Sequence, residues 1–216
     1  MTANKAASAP RRTRRDEYAE QTRNAVVEAA RALFAERGYF ATTVNEIADA
    51  SRVSAGTVYQ QCGGKQGLLR TLVEIWTTAP LVQQTLDRID AAGTLDEVLQ
   101  ALGDSYLGFY RQFDDIIQVV FATAPHDVEA AELLAQATDR QRTALLEIAR
   151  KVRELGTFPA SFSDDDFADI AMYYYGAHNG FHFTVTELGW SEARARDWIH
   201  EQFHRSLLHT AGEGGG

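Results

Sequence analysis

The chain has 216 residues, of which 45% are hydrophobic and 4 are proline, so it suits one or two domains with a real core and long helices. Its net charge of −9 argues against nucleic-acid binding if taken alone. The charges are unevenly distributed, however: residues 1–70 carry 11 Lys or Arg against 7 Asp or Glu, and residues 71–216 carry 10 against 23. A basic N-terminal region therefore precedes an acidic C-terminal region. One cysteine excludes an internal disulfide, and the absence of a long apolar run or a signal core predicts a cytoplasmic protein with no membrane segment.

The first fifteen residues are rich in alanine, serine and arginine and predict a disordered basic arm over 1–15. Arg11, Arg12, Arg14 and Arg15 can lie along a phosphate backbone or enter a minor groove, where each neutralised phosphate releases counterions. A tail that only aids solubility explains the same composition equally well.

A first long helix is expected over about 16–37, with Gly38 as its C-terminal stop. Its inner stripe is a set of apolar residues at helical spacing, which we interpret as core: Val26, Ala30, Leu33 and Phe34.

The stretch 43–65 predicts two short helices joined by a tight turn. Val44, Ile47 and Ala48 fall at i, i+3 and i+4 and form one apolar face of the first helix. Ser54 is a good N-cap for the second helix, because its hydroxyl can accept a hydrogen bond from an orphan backbone N–H.

The second short helix is expected to bury valines and to expose polar side chains. Val53 and Val58 can pack inward against Ile47. Hydroxyls bond phosphates and bases, and amides read adenine edges in a bidentate way, so such a helix suits a DNA major groove. The outward-facing residues are Thr57, Tyr59, Gln60 and Gln61.

Several short motifs occur together between residues 22 and 72: Ala29-Ala30-Arg31-Ala32-Leu33-Phe34, Gly38, Thr42-Thr43-Val44, Glu46-Ile47-Ala48, Val53-Ser54, Gly56-Thr57-Val58-Tyr59, and Lys65 followed by Leu68-Leu69. In these motifs the chain resembles the DNA-binding domain of the TetR family of transcriptional regulators. It departs from the family at Ser51-Arg52, where Ala-Gly is usual, at Gln61-Cys62, where His-Phe is usual, and at Gln66, where an acidic residue is common. The first departure predicts a slightly altered turn or an extra phosphate contact from Arg52.

The resemblance and the outward polar face together assign roles on DNA. Gln60 and Gln61 are expected to read bases, with adenine preferred. Phosphate contacts are expected from Thr43, Arg52, Ser54, Thr57, Tyr59 and Lys65.

Cys62 stands where the family usually has a core aromatic, and Gly63-Gly64 follows it. The cysteine is either a small buried filler, the reading we favour, or a redox sensor near basic residues. No phosphate-loop pattern surrounds the glycines, so nucleotide binding is not supported and no cofactor is expected.

A fourth helix is expected over about 66–78 and should end before Pro80. In the family this helix links the DNA-binding head to the ligand domain. The rest of the sequence has a helical pattern throughout and contains no internal repeat. Helices are expected at about 81–91, 95–113, 115–123, 127–155, 164–187 and 191–210.

The middle helices are rich in aromatic residues, some of which must be core. Because the family's second domain is a variable effector-binding bundle, the resemblance favours a pocket for a small, largely apolar or aromatic molecule. The residues assigned to it are Trp76, Phe109, Phe113, Phe121, Tyr174, His178 and Phe181.

The last two helices are where the family dimerises through a four-helix bundle. On the final helix Trp198, Ile199, Phe203 and Leu207 form a stripe that is core, interface or both. The glycine-rich tail 212–216 should be flexible.

The stretch from His200 to His204 matches the His-Glu-x-x-His pattern of zinc proteases, in which Glu201 would be the general base. Catalytic zinc needs a third protein ligand, and the twelve residues after His204 lack the longer spacing of the extended motif. We therefore expect neither an enzyme nor a bound metal, with a regulatory metal site at this pair, or at His178 and His182, as the alternative.

The sequence thus predicts an all-α protein in which an N-terminal three-helix helix-turn-helix DNA-binding domain (16–78) precedes a C-terminal ligand-binding and dimerisation bundle (79–211). Its expected partners are a double-stranded DNA operator, a second copy of the chain and a small-molecule effector, and its expected function is ligand-responsive repression. The alternative is a DNA anchor whose acidic body binds a protein instead of a small molecule.

Overall fold

The computed structural model describes residues 13–155, 162–177 and 179–210, and within these ranges the chain is helical apart from short connections. A short 3-10 turn at Ala124–His126 precedes α7, and a π-helix at His182–Glu187 precedes α9. This confirms the all-α prediction. The α-helices are α1 Arg14–Arg37, α2 Val44–Ser51, α3 Ala55–Cys62, α4 Gly64–Thr77, α5 Pro80–Ala91, α6 Leu95–Thr123, α7 Val128–Glu154, α8 Asp164–Tyr175 and α9 Glu192–Thr210.

The chain divides into two compact units, Met1–Leu68 and Leu69–Gly216, and the division falls within α4. The functional boundary expected after residue 78 stays a prediction. Arg11, Arg12 and the tail 212–216 lie outside the described residues.

Four of the helices begin with the same hydrogen-bonded capping arrangement. A Thr or Ser side chain accepts a bond from the backbone N–H three residues later, and the acidic side chain at that later position accepts a bond from the cap's own N–H. At α1 this cap places Arg14 and Arg15 in the first helical turn, so helix begins before the end of the expected arm. The pairs are Thr13 with Asp16, Thr43 with Glu46, Thr94 with Glu97 and Ser163 with Asp166.

The first unit packs α1 against α2 and α3. Val26, Phe34, Ile47 and Val58 are buried at its centre, and Tyr39 packs on Phe34 with ring centroids 5.2 Å apart. Burying a side chain of this size stabilises the folded state by about 1.5–3 kcal/mol, so these four anchor the two short helices that cannot be stable alone.

In the second unit α5 packs on α6, α6 on α7 and α9, and α7 on α8. Phe203 of α9 is fully buried, and its ring lies 5.6 Å from Phe167 and 5.5 Å from Tyr175 of α8. Ile199 and Leu207 are buried on the same side of α9, whereas Trp198 is 43% exposed. The predicted stripe on α9 is therefore core at three positions and open to solvent at the fourth.

Helix α6 is continuous, and the break expected between 113 and 115 was wrong. Asp114 and Asp115 favour helix starts, but no glycine or proline stands beside them to end a helix, so the long amphipathic pattern continues through them. Gly108 allows close packing within the unit, because a Cβ there would lie 2.9 Å from Leu81 Cδ2.

The single helix expected over 164–187 was also wrong, because α8 ends at Tyr175. Gly176 has an extended ψ of 154°, and a Cβ on it would lie 2.5 Å from Met172 O. The Gly180 N–H donates to Gly176 O at 2.9 Å, and the π-helix begins two residues later. Two glycines thus permit a tight break that periodicity alone does not reveal.

Candidate nucleic-acid interface and internal cavity

Helix α3 shows polar side chains to solvent on an apolar support. Val58 is fully buried beside the buried Ile47 of α2, which fixes the helix in the unit. Tyr59 is 60% exposed and Gln60 is exposed, while Gln61 is half-buried. Of the four side chains expected to face outward, Tyr59 and Gln60 are exposed and Thr57 and Gln61 are half-buried, so Gln60 is the more open amide.

The hydroxyls assigned to phosphates also hold the helix starts. The Ser54 hydroxyl accepts from Thr57 N–H at 3.1 Å, and the two side-chain oxygens of Ser54 and Thr57 lie 2.9 Å apart. The Thr43 hydroxyl donates to Glu46 Oε2 at 2.8 Å. Hydrogen bonds from the cap lower the pKa of Glu46, so this carboxylate is held in its charged form.

Arg52 ends α2 in the left-handed conformation, with φ 57° and ψ 40°, and its side chain is exposed. It is the one non-glycine residue with positive φ in the described part of the chain. Its backbone N–H donates to Asp49 O at 3.2 Å. A glycine would take this conformation without the steric cost, so Arg52 holds a backbone conformation that favours glycine. The altered turn predicted at this position stays a prediction.

Lys65 is half-buried, and its Nζ lies 4.4 Å from the centre of the Tyr39 ring in a cation–π contact. Burial lowers the pKa of Lys65, and the charge of Glu46 acts in the opposite direction. This ammonium is therefore positioned by the protein's own residues rather than freely mobile.

Tyr59 packs over Gly64, where a Cβ would lie 2.7 Å from ring atom Cε1. Gly64 has a φ of 74°, which a residue with a side chain adopts only with strain.

Cys62 is buried, and burial raises the pKa of its thiol, which disfavours the reactive thiolate. These observations support the small-filler interpretation of Cys62.

Sequence reasoning left Gly56 out of the DNA-contacting set. It lies exposed in the first turn of α3, and the nearest atom to a Cβ built on it is Ser54 Oγ at an ordinary 3.6 Å. Nothing in the described part of the chain requires a glycine here, although glycine costs a helix about 0.5–1 kcal/mol relative to alanine. A glycine that is exposed in the first turn of a helix, with no internal contact to explain it, is the feature that makes Gly56 a candidate for a DNA contact.

The second unit contains a cavity of about 460 Å³. Four of the residues predicted for a ligand pocket line it: Trp76, Phe109, Phe121 and Phe181. Phe113 is buried outside the lining, with its ring 6.0 Å from that of Phe109. Tyr174 also lies outside the lining, and its hydroxyl is 2.8 Å from Ser206 Oγ. His178 lies outside the described residues.

The cavity wall carries a few polar groups among mostly apolar ones. The Tyr106 hydroxyl accepts from Gln141 Nε2 at 2.8 Å, and burial raises the pKa of Tyr106 to about 12. Thr85 and Ser105 form a buried hydroxyl pair at 2.7 Å. Sequence reasoning missed these groups because none belongs to a motif.

Asp114 and His182 meet on the cavity wall from α6 and the π-helix. His182 Nδ1 lies 2.8 Å from Asp114 Oδ2, with the two side chains 20% and 23% exposed. His182 Nε2 faces Glu187 at 3.7 Å. The break after Tyr175, in place of the single helix expected over 164–187, sets the direction of His182.

Among the described side chains, the histidine pair of the zinc-protease pattern has no third metal-ligating group beside it. The His200 and His204 rings are nearly parallel with centroids 6.4 Å apart, and His200 Nε2 lies 3.3 Å from Asp96 Oδ1. Glu201 pairs with Arg205. Across the described ranges, no three His, Cys, Asp or Glu side chains are grouped so that they could hold a metal ion.

Some apolar side chains of the second unit face solvent. Those in the C-terminal region are Tyr173, Phe183, Leu188 and Trp198. Within the described ranges, no helix has the length and apolarity to cross a membrane.

A capped helix-turn-helix with exposed polar side chains on its second helix, followed by a helical unit with a partly open cavity, is typical of a DNA-binding transcriptional regulator. Residues 26–72 match the family model described as "Bacterial regulatory proteins, tetR family". The match identifies residues 26–72 as the DNA-binding domain of the TetR family of transcriptional regulators, a family of DNA-binding proteins that are not enzymes. The predicted family, fold and non-enzymatic class are confirmed.

Similar proteins extend this likeness over most of the chain. It is 27% identical over 179 residues to the HTH-type transcriptional regulator TtgR of Pseudomonas putida, which covers 76% of this chain and 80% of TtgR. It is 42% identical over 50 residues to HbdR of Aromatoleum sp. (strain CIB), covering 23% and 22% of the two chains. NalD, the secondary repressor of the MexAB-OprM multidrug efflux pump in Pseudomonas aeruginosa, shares the fold with a TM-score of 0.70 at 18% identity, covering 88% and 98%.

Proposed function

We propose that this regulator is a cytoplasmic repressor that binds a near-palindromic operator as a homodimer and releases it when a small apolar or aromatic effector fills the cavity. The observation that carries the proposal is the surface of α3, where Tyr59 and Gln60 stand open to solvent above the buried Val58. A short polar helix held by an apolar base suits a major groove better than any internal role.

On the operator, Gln60 and Gln61 read base edges, and the more open Gln60 contributes most. The phosphate contacts come from Thr43, Arg52, Ser54, Thr57, Tyr59 and Lys65. Gly56 joins this set as the point where the DNA backbone comes nearest to α3, which explains a glycine that the chain itself does not need.

Dimerisation is supported by exposed aromatic surface on the last two long helices. Tyr173 of α8 is 65% exposed and Trp198 of α9 is 43% exposed, and such large apolar groups at a surface favour burial against a partner. Two-fold symmetry then requires two half-sites about 34–36 Å apart along the duplex, or a multiple of that spacing.

The cavity supports the effector step. Its volume of about 460 Å³ and its aromatic wall suit a drug-sized molecule. Trp76 belongs both to this wall and to α4, the helix that begins at Gly64 directly after the recognition helix. An effector that binds one arrangement of α4 better than another shifts the equilibrium, and a coupling of about 1–3 kcal/mol lowers operator affinity about five- to 150-fold.

That the regulation is repression is supported by the similar protein NalD, which is a repressor of a multidrug efflux pump. The second candidate function, a DNA anchor for a protein partner, draws on the acidic character of residues 71–216. A compound screen separates the two candidates.

The test combines thermal unfolding with operator release. Purified full-length protein is heated with a panel of lipophilic compounds, and each stabilising compound is then titrated into a protein–operator complex. We expect one chemical class both to raise the Tm and to release DNA. A panel without any stabilising compound, together with unchanged DNA binding, would favour the protein-partner function.

A matched pair of variants locates the effect. Ala144 lines the cavity on α7, whereas Ala135 is exposed on the same helix and outside the lining. Ala144→Leu should reduce effector-induced release at least about fivefold by filling space, and Ala135→Leu should leave it unchanged.

A further inference from the structure

We propose that the cavity recognises a lipophilic cation, with Asp114 as the group that selects the positive charge. This inference rests on the proposed function, because it names the chemical class of the effector. Asp114 is the one carboxylate among the described residues that line the cavity. A carboxylate in such a wall is unusual, because removing a charge from water is costly unless a partner compensates it.

The partners of Asp114 leave room for a cation. Gln118 Nε2, a neutral donor, lies 3.3 Å from Asp114 Oδ1. His182 Nδ1 lies 2.8 Å from Oδ2, and a neutral imidazole can make this contact by donating its N–H. Glu187 lies 3.7 Å from Nε2 of the same histidine, so Asp114, His182 and Glu187 together carry a net negative charge whether the ring is neutral or protonated. This negative charge can attract a cation from a ligand.

Aromatic rings flank the carboxylate along α6. Tyr110, Asp114 and Phe121 occur at i, i+4 and i+11, which places all three on one face over about 16 Å of helix. All three line the cavity, and the Phe181 ring lies 6.3 Å from that of Tyr110. Aromatic faces attract cations, and rings around a quaternary ammonium are a recurrent means of binding it.

The arginine in the cavity lining is not evidence for an anionic ligand. Arg140 is exposed, and its Nη1 donates to Thr77 Oγ1 at 3.2 Å. Asp114 is only 23% exposed, so its charge acts in surroundings of lower dielectric and on a ligand inside the cavity. The more deeply placed charge is the negative one.

The test uses three probes with one biphenylmethyl skeleton, ending in trimethylammonium, in its neutral tert-butyl isostere, or in a carboxylate. Calorimetric titration of the full-length protein should give about tenfold or more tighter binding of the ammonium than of the neutral probe, and weakest binding of the carboxylate. Asp114→Asn keeps the size of the side chain and should remove the preference for the ammonium while leaving the neutral probe's affinity unchanged.

The control is Asp104→Asn, which makes the same charge change on α6 at an exposed residue paired with Arg88 and outside the lining. It should retain the preference for the cation. Equal binding of the ammonium and neutral probes to the unaltered protein would overturn the cation proposal but leave an effector cavity intact. A preference for the cation that survives Asp114→Asn would overturn the role of Asp114. Failure of all three probes to bind would contradict the effector step itself.

Discussion

The helix-turn-helix segment 43–65 and the segment 174–187 (the cavity segment, which supplies Tyr175, Gly176 and His182 to the lining) both contain glycines, aromatic rings and hydrogen-bonded polar groups, but they are held in different ways. In the first, the Thr43–Glu46 and Ser54–Thr57 bonds join residues three apart. In the second, Gln118 bonds the Ala177 carbonyl, and Asp114 meets His182 across 68 residues of sequence.

This difference separates a surface that keeps its shape from one that can respond. The caps of α2 and α3 depend on their own neighbours, so we expect the recognition helix to stay formed whatever fills the cavity. The break and π-helix combine local hydrogen bonds with distant contacts from α6, so we expect a molecule in the cavity to bias their arrangement. The variants below test the contrast, beginning with the largest expected effect.

Phe203→Ala should lower the stability of the protein more than the other substitutions, because residues of the cavity segment pack against this ring. Tyr174 and Tyr175 pack on it with centroids 5.9 and 5.5 Å away. We expect a loss of about 3–5 kcal/mol in the free energy of unfolding, measured by urea denaturation. Trp198→Ala on the same helix should cost under about 1 kcal/mol in a monomer. Equal losses would mean that Phe203 is not core.

Gln60→Ala should change which operator the protein prefers. Loss of a bidentate amide contact removes about 1–3 kcal/mol of discrimination at one base pair, measured by competition among operators that vary singly. Arg52→Ala is the control, because a lost phosphate contact weakens every sequence alike and makes the salt dependence shallower by about 0.9 in log–log slope. An equal loss on every operator for Gln60→Ala would remove its reading role.

Arg52→Gly should stabilise the free protein while it weakens DNA binding. Glycine adopts the φ of 57° without the steric cost of about 1–2 kcal/mol, although its own flexibility offsets part of the gain. Thermal unfolding and operator titration of the same preparation measure the two effects. A fall in stability would show that a contact of the arginine side chain stabilises the fold by more than the backbone strain destabilises it.

The smallest effect concerns pH. The Thr43 cap lowers the folded-state pKa of Glu46, so the stability it contributes is present above the unfolded value and is lost as pH falls through the lowered folded one. Between neutral pH and about pH 3 the wild type should therefore lose more stability than Glu46→Gln. Parallel pH profiles of the Tm for the two proteins would contradict this prediction.

The same contrast explains what sequence reasoning could foresee. The apolar spacing of Ile47 and Val58 and the cap at Ser54 are local signals, so the helix-turn-helix and its outward polar face were predicted from neighbouring residues. The placement of His182 was not, because Gly176 and Gly180 redirect the chain through close approaches that appear only in the folded backbone. Phe113 and Phe109, both predicted for the pocket, point to different surroundings although they are one turn apart.

The most direct test of the central claim is a salt series on selected DNA. Full-length protein is used to enrich fragments from a random duplex pool, and its affinity for the enriched sequence and for a scrambled duplex is measured at several salt concentrations. We predict an inverted repeat bound about 10³-fold or more tightly than the scrambled duplex, with both affinities falling as salt rises. No enriched inverted repeat, and equal binding of both duplexes at every salt concentration, would contradict the account.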